Sequence, residues 1–199
     1  MAENKDDFYT NIIGIPRDTY GDKHSEHVLE IYKFYVEMAD RISSRRQTAN
    51  SFFLTINSAI VALVGYVNLS AGYDNVTFMF YALVAVAGMV LSYFWYRLVL
   101  SYKQLNSAKF NVIHVIESML PLRVYDAEWI ALGSGKNPKL YKPFTDIETA
   151  VPWVFFVIHA IVLLVSLYFV YISTGSHALS ADAAPLRFAA RLMPKPLGV

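Results

Sequence analysis

The sequence predicts an all-α integral membrane protein with three transmembrane helices. Apolar residues make up 55% of its 199 residues, and the mean hydropathy of +0.35 is high for a soluble domain. The apolar residues are concentrated in three uncharged runs, and each run has the length of ~20 residues that is needed to cross a bilayer. We therefore assign the spans to residues 51–72, 76–96 and 151–172, the first two forming a hairpin over 51–96.

The residues before the hairpin predict a polar extension followed by a helical stalk. Residues 1–24 have no apolar core of a signal peptide, so we expect none to be cleaved. Residues 25–50 predict an amphipathic helix with one apolar seam, formed by Val28, Tyr32, Tyr35, Ala39 and Ile42. On this helix Glu37 precedes Arg41 by four residues, which predicts an ion pair. No glycine or proline separates the stalk from the first span, so we expect one continuous helix.

Two interpretations of the seam remain open at this point. It packs on its own chain, or it pairs with neighbouring subunits. Small residues in the spans permit close helix contact in lipid, and we therefore add Ser58, Ala62, Gly65 and Gly88 to the seam as a candidate oligomer interface. The two helices of one hairpin could also pack these small residues against each other.

Polar side chains within the apolar runs are candidate functional groups. Asn57 lies in the first span and His159 in the third. Each predicts either an interhelical hydrogen bond or a pore-lining role, and the histidine could also sense protons near neutral pH. With Arg41, Arg45 and Arg46 at the end of the stalk, they form our candidate pore or lipid contacts. The spans hold no acidic residue, which argues against a transporter with a buried coupling carboxylate.

The middle segment, residues 97–150, predicts helices without a core of their own. One helix continues from the second span to about Pro121, a short helix follows over 126–132, and "GSGKNP" forms a turn. The segment must pack against the stalk or another subunit. We expect Glu148 or Thr149 to cap the third span, with Pro152 in its first turn.

Searching the chain for chemistry yields no catalytic motif. "GSGK" lacks the glycine and the hydroxyl residue of a phosphate-binding loop. His114 and Glu117 lie three apart, and we interpret them as a solvated helix face, not half a metal site, because no second pair matches. Cysteine is absent, which excludes disulfides and thiolate chemistry. We predict no enzyme activity, no metal, no cofactor and no nucleic-acid partner.

The distribution of basic residues predicts the orientation. Residues 1–50 and 97–150 hold fourteen of the seventeen lysines and arginines, whereas the link at 71–75 holds none. The positive-inside rule therefore places the N-terminus and the middle segment in the cytoplasm and the link outside. Three spans then put the tail, residues 173–199, outside, although its three basic residues favour the cytoplasm.

Several separated strings give the chain a family resemblance. "LEIYKFYVEMADRISSRRQTANSFFLTINSAIVAL", "SYKQLNSAKFNVIHVIESMLP", "YDAEWIALGSG" and "YKPFTDIETAVPWVFF" occur in this order over about residues 28–160. Together they resemble the RipA family of small bacterial inner-membrane proteins, which are described as octameric. The resemblance implies a multi-pass protein of the cytoplasmic membrane, assembled from identical subunits and linked to stress adaptation or growth inside host cells. The arrangement of a cytoplasmic helix followed by a hairpin of spans also resembles, more distantly, the two-span SLATT-type membrane effectors of bacterial defence systems.

Two functions of different classes follow as expectations. The first is a non-enzymatic scaffold or sensor in the bacterial inner membrane, whose partners are lipid and identical subunits in a ring. The alternative is a channel for ions or small solutes along the axis of that ring.

Overall fold

The computed structural model describes Ile12, residues 14–70, residues 74–137, Tyr141 and residues 144–192. Side chains at 69–70, 144–145 and 176–192 are outside this description. The described residues form helices and no strand. The α-helices are α1 (Arg17–Tyr20), α2 (His24–Ser70), α3 (Asn75–Glu117), α4 (Val124–Ala131) and α5 (Phe144–Leu192), and a 3₁₀ turn occupies Gly133–Gly135.

Three of these helices are long and apolar enough to cross a membrane. The segments lie within His24–Asn68, Asn75–Glu117 and Asp146–Gly175. This finding confirms the all-α fold with three long apolar helices that could span a membrane. The stalk and the first span belong to the single helix α2, as the absence of helix breakers predicted.

Helix α5 begins earlier than the sequence analysis predicted. It starts at Phe144, so Pro152 lies in its third turn and not in its first. The Thr149 hydroxyl donates to the Asp146 carbonyl 3.0 Å away within the helix. Both the proposed cap and the position of the proline were therefore wrong. Asp146 in the first turn favours the earlier start, because its charge complements the positive end of the helix dipole. The helix also continues beyond residue 172, where the predicted span ends.

The chain divides into two compact units. The stalk unit comprises Met1–Phe52 and Trp95–Val151, and the span unit comprises Phe53–Phe94 and Pro152–Val199. In the stalk unit, Ile113, Val115 and Ile116 of α3 are buried. The Trp95 indole N–H donates to Asn50 Oδ1 at 2.8 Å, which ties α3 to α2.

Within the stalk unit the middle segment packs on the stalk, which is one of the two alternatives predicted from its small size. The Lys109 ammonium of α3 lies 5.1 Å from the centre of the Tyr35 ring of α2. The Phe110 ring contacts the Tyr125 ring of α4 edge to face, with centroids 5.6 Å apart. These contacts assemble α2, α3 and α4 around one apolar core.

The span unit is held by aromatic packing and by small residues. The rings of Phe78 and Phe169 are stacked, with centroids 4.8 Å apart and planes 6° from parallel. Ala85 of α3 is completely buried. At the start of α3 the Asp74 carboxylate accepts a hydrogen bond from the Thr77 N–H at 2.9 Å, and the hydrogen bonds from Thr77 hold the pKa of Asp74 below its usual value.

Candidate functional site

A polar cluster joins three helices in the span unit. Asn57 of α2, Ser92 of α3 and His159 of α5 are each at most 1% exposed. Asn57 Oδ1 accepts from the Ser92 hydroxyl at 3.1 Å and lies 3.2 Å from His159 Nε2. This arrangement is the interhelical hydrogen bonding that the sequence predicted for Asn57 and His159. No role was predicted for Ser92, because nothing in its spacing reveals its partner.

Both the oxygen and the nitrogen of the Asn57 side-chain amide have hydrogen-bond partners. If His159 carries its proton on Nε2, both acceptor positions of Asn57 Oδ1 are used. The Asn57 amide N–H donates to the Phe53 carbonyl at 2.9 Å. In an apolar environment such bonds avoid the cost of an unsatisfied polar group. The cluster therefore fixes the packing of three helices within one subunit.

Gly88 allows α5 to approach α3 at this cluster. A Cβ atom built on Gly88 would lie 2.5 Å from the imidazole ring of His159, closer than carbon atoms pack. Gly88 was predicted from the sequence to lie at an oligomer interface. In the structure a glycine is required at this position by a contact within the chain, because the His159 ring lies directly over residue 88.

The small residues of the first span have different surroundings. Ser58, Ala62 and Gly65 are exposed on α2, and a Cβ atom on Gly65 would meet nothing within 4 Å. Their own subunit therefore leaves this face of α2 available. Contact of this face with a neighbouring subunit stays a prediction.

The stalk seam packs on its own chain. Ala39 is only 6% exposed, Val28 and Ile42 are partly buried, and Tyr35 lies beneath Lys109. This agrees with the first of the two interpretations of the seam. An additional contact of the seam with a neighbouring subunit stays a prediction.

Glu117 is a site residue that the sequence analysis misinterpreted. It was assigned to a solvated helix face, but it is fully buried. Its Oε1 accepts from the Tyr32 hydroxyl at 2.9 Å and from the Tyr125 N–H at 3.0 Å, and its Oε2 accepts from the Asp126 N–H at 3.3 Å. The carboxylate therefore satisfies two of the free N–H groups at the start of α4 and also holds the stalk.

The environment of Tyr32 raises the pKa of its hydroxyl group. Burial first, and then the hydrogen bond and negative charge of Glu117, raise the pKa of Tyr32 to about 12. The phenol is thus kept as a hydrogen-bond donor well beyond neutral pH. Tyr32, Glu117 and the first turn of α4 form a link that we call the Glu117 clasp.

The three candidate arginines lie in three different environments. Arg41 Nη2 lies 2.6 Å from Glu37 Oε1, which confirms the predicted ion pair. Arg46 Nε lies 3.5 Å from Glu148 Oε2, and both side chains are largely buried. Arg46 therefore faces α5 of its own chain, which differs from the predicted lipid or pore contact. Arg45 is exposed.

An open cavity of about 780 Å³ lies in the stalk unit between α2, α3 and α4. We call it the stalk groove. Aromatic rings of Tyr32, Phe110 and Tyr125 line it together with the charged side chains of Lys33, Glu37, Asp40 and Glu128. The stalk groove was not predicted from the sequence, because its shape depends on how α4 packs on the stalk.

The described residues offer no obvious metal centre. Among them, no group of three or more histidine, aspartate or glutamate side chains is placed to hold an ion. The absence of a metal or cofactor from the working protein stays a prediction.

The geometry is consistent with what comparison with known families finds. The model of the octameric membrane protein family (8xMP) matches residues 29–168, which include α3, α4 and most of α2. The match confirms the octameric membrane family expected from the resemblance. No curated protein and no solved structure matches the chain.

Proposed function

Since the chain belongs to the octameric membrane protein family, we propose that it is a non-enzymatic scaffold or sensor assembled from identical subunits. The polar cluster of Asn57, Ser92 and His159 carries this proposal. These side chains are buried and bonded within one subunit, so none of the three is available to line a pore.

The charge distribution supports a location in the bacterial inner membrane with the stalk unit in the cytoplasm. Two long stretches on one side of the spans hold most of the basic residues, as cytoplasmic segments do. The exposed side chain of Arg41 would then meet anionic headgroups, an interaction that contributes about 1 kcal/mol. Lipid and identical subunits are the partners in this proposal, and the stress adaptation implied by the family resemblance is its biological setting.

A channel along the ring axis is the second candidate. The exposed small face of α2, with Ser58, Ala62 and Gly65, favours it. If that face lined an axis, the exposed guanidinium groups of Arg41 and Arg45 would repeat around one mouth. Such a basic ring attracts anions and repels cations.

Conductance distinguishes the two functions. The wild type and an Arg41→Glu/Arg45→Glu variant are reconstituted in planar bilayers between pH 5 and pH 8. A scaffold or sensor gives no current in either protein. Reproducible currents whose anion preference falls or inverts in the variant would refute the scaffold and establish the channel.

A further inference from the structure

The stalk portion of α2 carries two unlike flanks. On one side, Asp40 and Glu37 line the stalk groove together with Glu128 of α4. On the other side, Ile31 and Phe34 are 51% and 57% exposed. Arg45 lies on that side as well and, among the residues that the structure describes, makes no ion pair. We call Ile31, Phe34 and Arg45 the basic flank; Arg41 lies nearer the groove and pairs with Glu37 of its own chain.

Helix geometry separates the two surfaces. Successive residues are rotated by about 100°, so Asp40 and Arg45 point about 140° apart around α2. One subunit therefore cannot bring its own basic flank into its own groove. A second copy can, and a closed ring requires contacts of this kind, in which one patch meets a different patch of the next subunit.

We propose that the stalk groove of each subunit receives the basic flank of α2 from the neighbouring copy. The inference rests on the proposed homo-oligomeric assembly and assigns its contact. Acidic side chains at the groove match the exposed Arg45, and the aromatic lining of Tyr32, Phe110 and Tyr125 matches the exposed Phe34. Both parts of the contact lie in the stalk unit.

The character of the groove favours a protein surface over a small ligand. Pockets for small ligands are mostly apolar with few polar groups and enclose most of the ligand. The stalk groove is open and carries four charged side chains among its lining residues. Apolar groups at the centre with charges around them are typical of a protein interface.

A charge exchange tests the contact in the full-length protein. Asp40→Arg and Arg45→Asp each place like charges opposite one another, which costs enough to shift an association equilibrium by tenfold or more. The double variant restores opposite charges. We expect each single variant to raise the dissociation concentration in mild detergent about tenfold, and the double variant to return it to within about threefold of wild type. Glu26→Arg is the control, because Glu26 is exposed and lies outside the groove lining.

Disulfide formation supplies a second readout, since the chain has no cysteine. The Cα atoms of residues 40 and 45 are about 8.6 Å apart on an ideal helix, beyond the reach of a disulfide within one chain. Oxidation of an Asp40→Cys/Arg45→Cys variant in membranes should give a ladder of covalent multimers. Asp40→Cys alone and Arg45→Cys alone should give no disulfide-linked dimer, and the Glu30→Cys/Arg45→Cys pair should give no ladder.

The possible results distinguish failure of the proposed contact from failure of the proposed assembly. A wild-type protein that is monomeric in membranes refutes the proposed assembly and the contact with it. An assembled wild type whose mass withstands both single reversals, without a ladder from the cysteine pair, refutes the contact alone. A disulfide-linked dimer from either single cysteine variant also refutes it, because like positions then meet. If the single reversals dissociate the protein and the exchange does not rescue it, the cysteine pair decides.

Discussion

Gly88 lies so close to His159 that one added methyl group would alter the packing of the span unit. In Gly88→Ala the new Cβ atom would fall 2.5 Å from the buried imidazole ring. Overpacking of this kind costs about 1–3 kcal/mol, which exceeds the gain of ~0.5–1 kcal/mol in helix propensity. We expect a lower midpoint of thermal unfolding in detergent.

Gly175→Ala is the matched control for this change. It also places alanine in a helix, but a Cβ atom there would meet nothing within 4 Å. We expect an unchanged or slightly higher midpoint. If the two variants behaved alike, His159 would not restrict residue 88.

Tyr32 gives the stalk unit a dependence on alkaline pH. Its pKa is about 12 in the folded chain, against an ordinary value of 10.0. The raised value stabilises the fold fully below pH 10, and this contribution is lost as pH rises from 10 towards 12. Thermal unfolding should therefore show a decline over this range that is smaller in Tyr32→Phe. An equally steep decline in the variant would exclude Tyr32 as its source.

Single residues differ in how far the sequence could predict them. Asn57 and His159 were identifiable because a polar group in an apolar run needs a partner. Their partner Ser92 was hidden, since serine is common wherever helices pack closely. Glu117 was misassigned because its ligands are the backbone N–H groups of Tyr125 and Asp126, and backbone groups leave no signal in sequence.

Helix α4 depends on the Glu117 clasp for its attachment. Glu117→Ala leaves the Tyr32 hydroxyl and two N–H groups of α4 without their acceptor, at a cost of about 1–3 kcal/mol. We expect faster amide hydrogen exchange in residues 124–131, while exchange in the span unit stays unchanged. The control is Glu26→Ala, at an exposed position of α2. Unchanged exchange in α4 would show that apolar contacts alone hold it.

Whole helices were more predictable than their ends. The length and composition of the apolar runs identified three membrane-spanning helices, and the lack of breakers predicted the continuity of α2. The start of α5 was missed because Pro152 was taken as a sign of a first turn. Proline disfavours the interior of a helix, yet packing can hold it there, and Pro152 is fully buried.

The orientation of the whole molecule is testable with the cysteine-free chain. Single cysteines replace Asp74, at the end of the link between the first two spans, and Lys136, beside the 3₁₀ turn. A membrane-impermeant thiol reagent should label the first in intact cells and the second only after lysis, because the distribution of basic residues predicts a cytoplasmic middle segment. Labelling of the second position alone in intact cells would reverse the assigned topology.

The close approach of residue 88 to the ring of His159 has a consequence for divergence within the family. A larger side chain at 88 and an imidazole at 159 cannot share this space, so the two positions cannot drift independently. Relatives should therefore keep both residues or replace both, with a smaller side chain at 159 wherever 88 has gained a Cβ atom. A change at one position alone leaves either a steric clash or a cavity at this site, so the two substitutions should occur together.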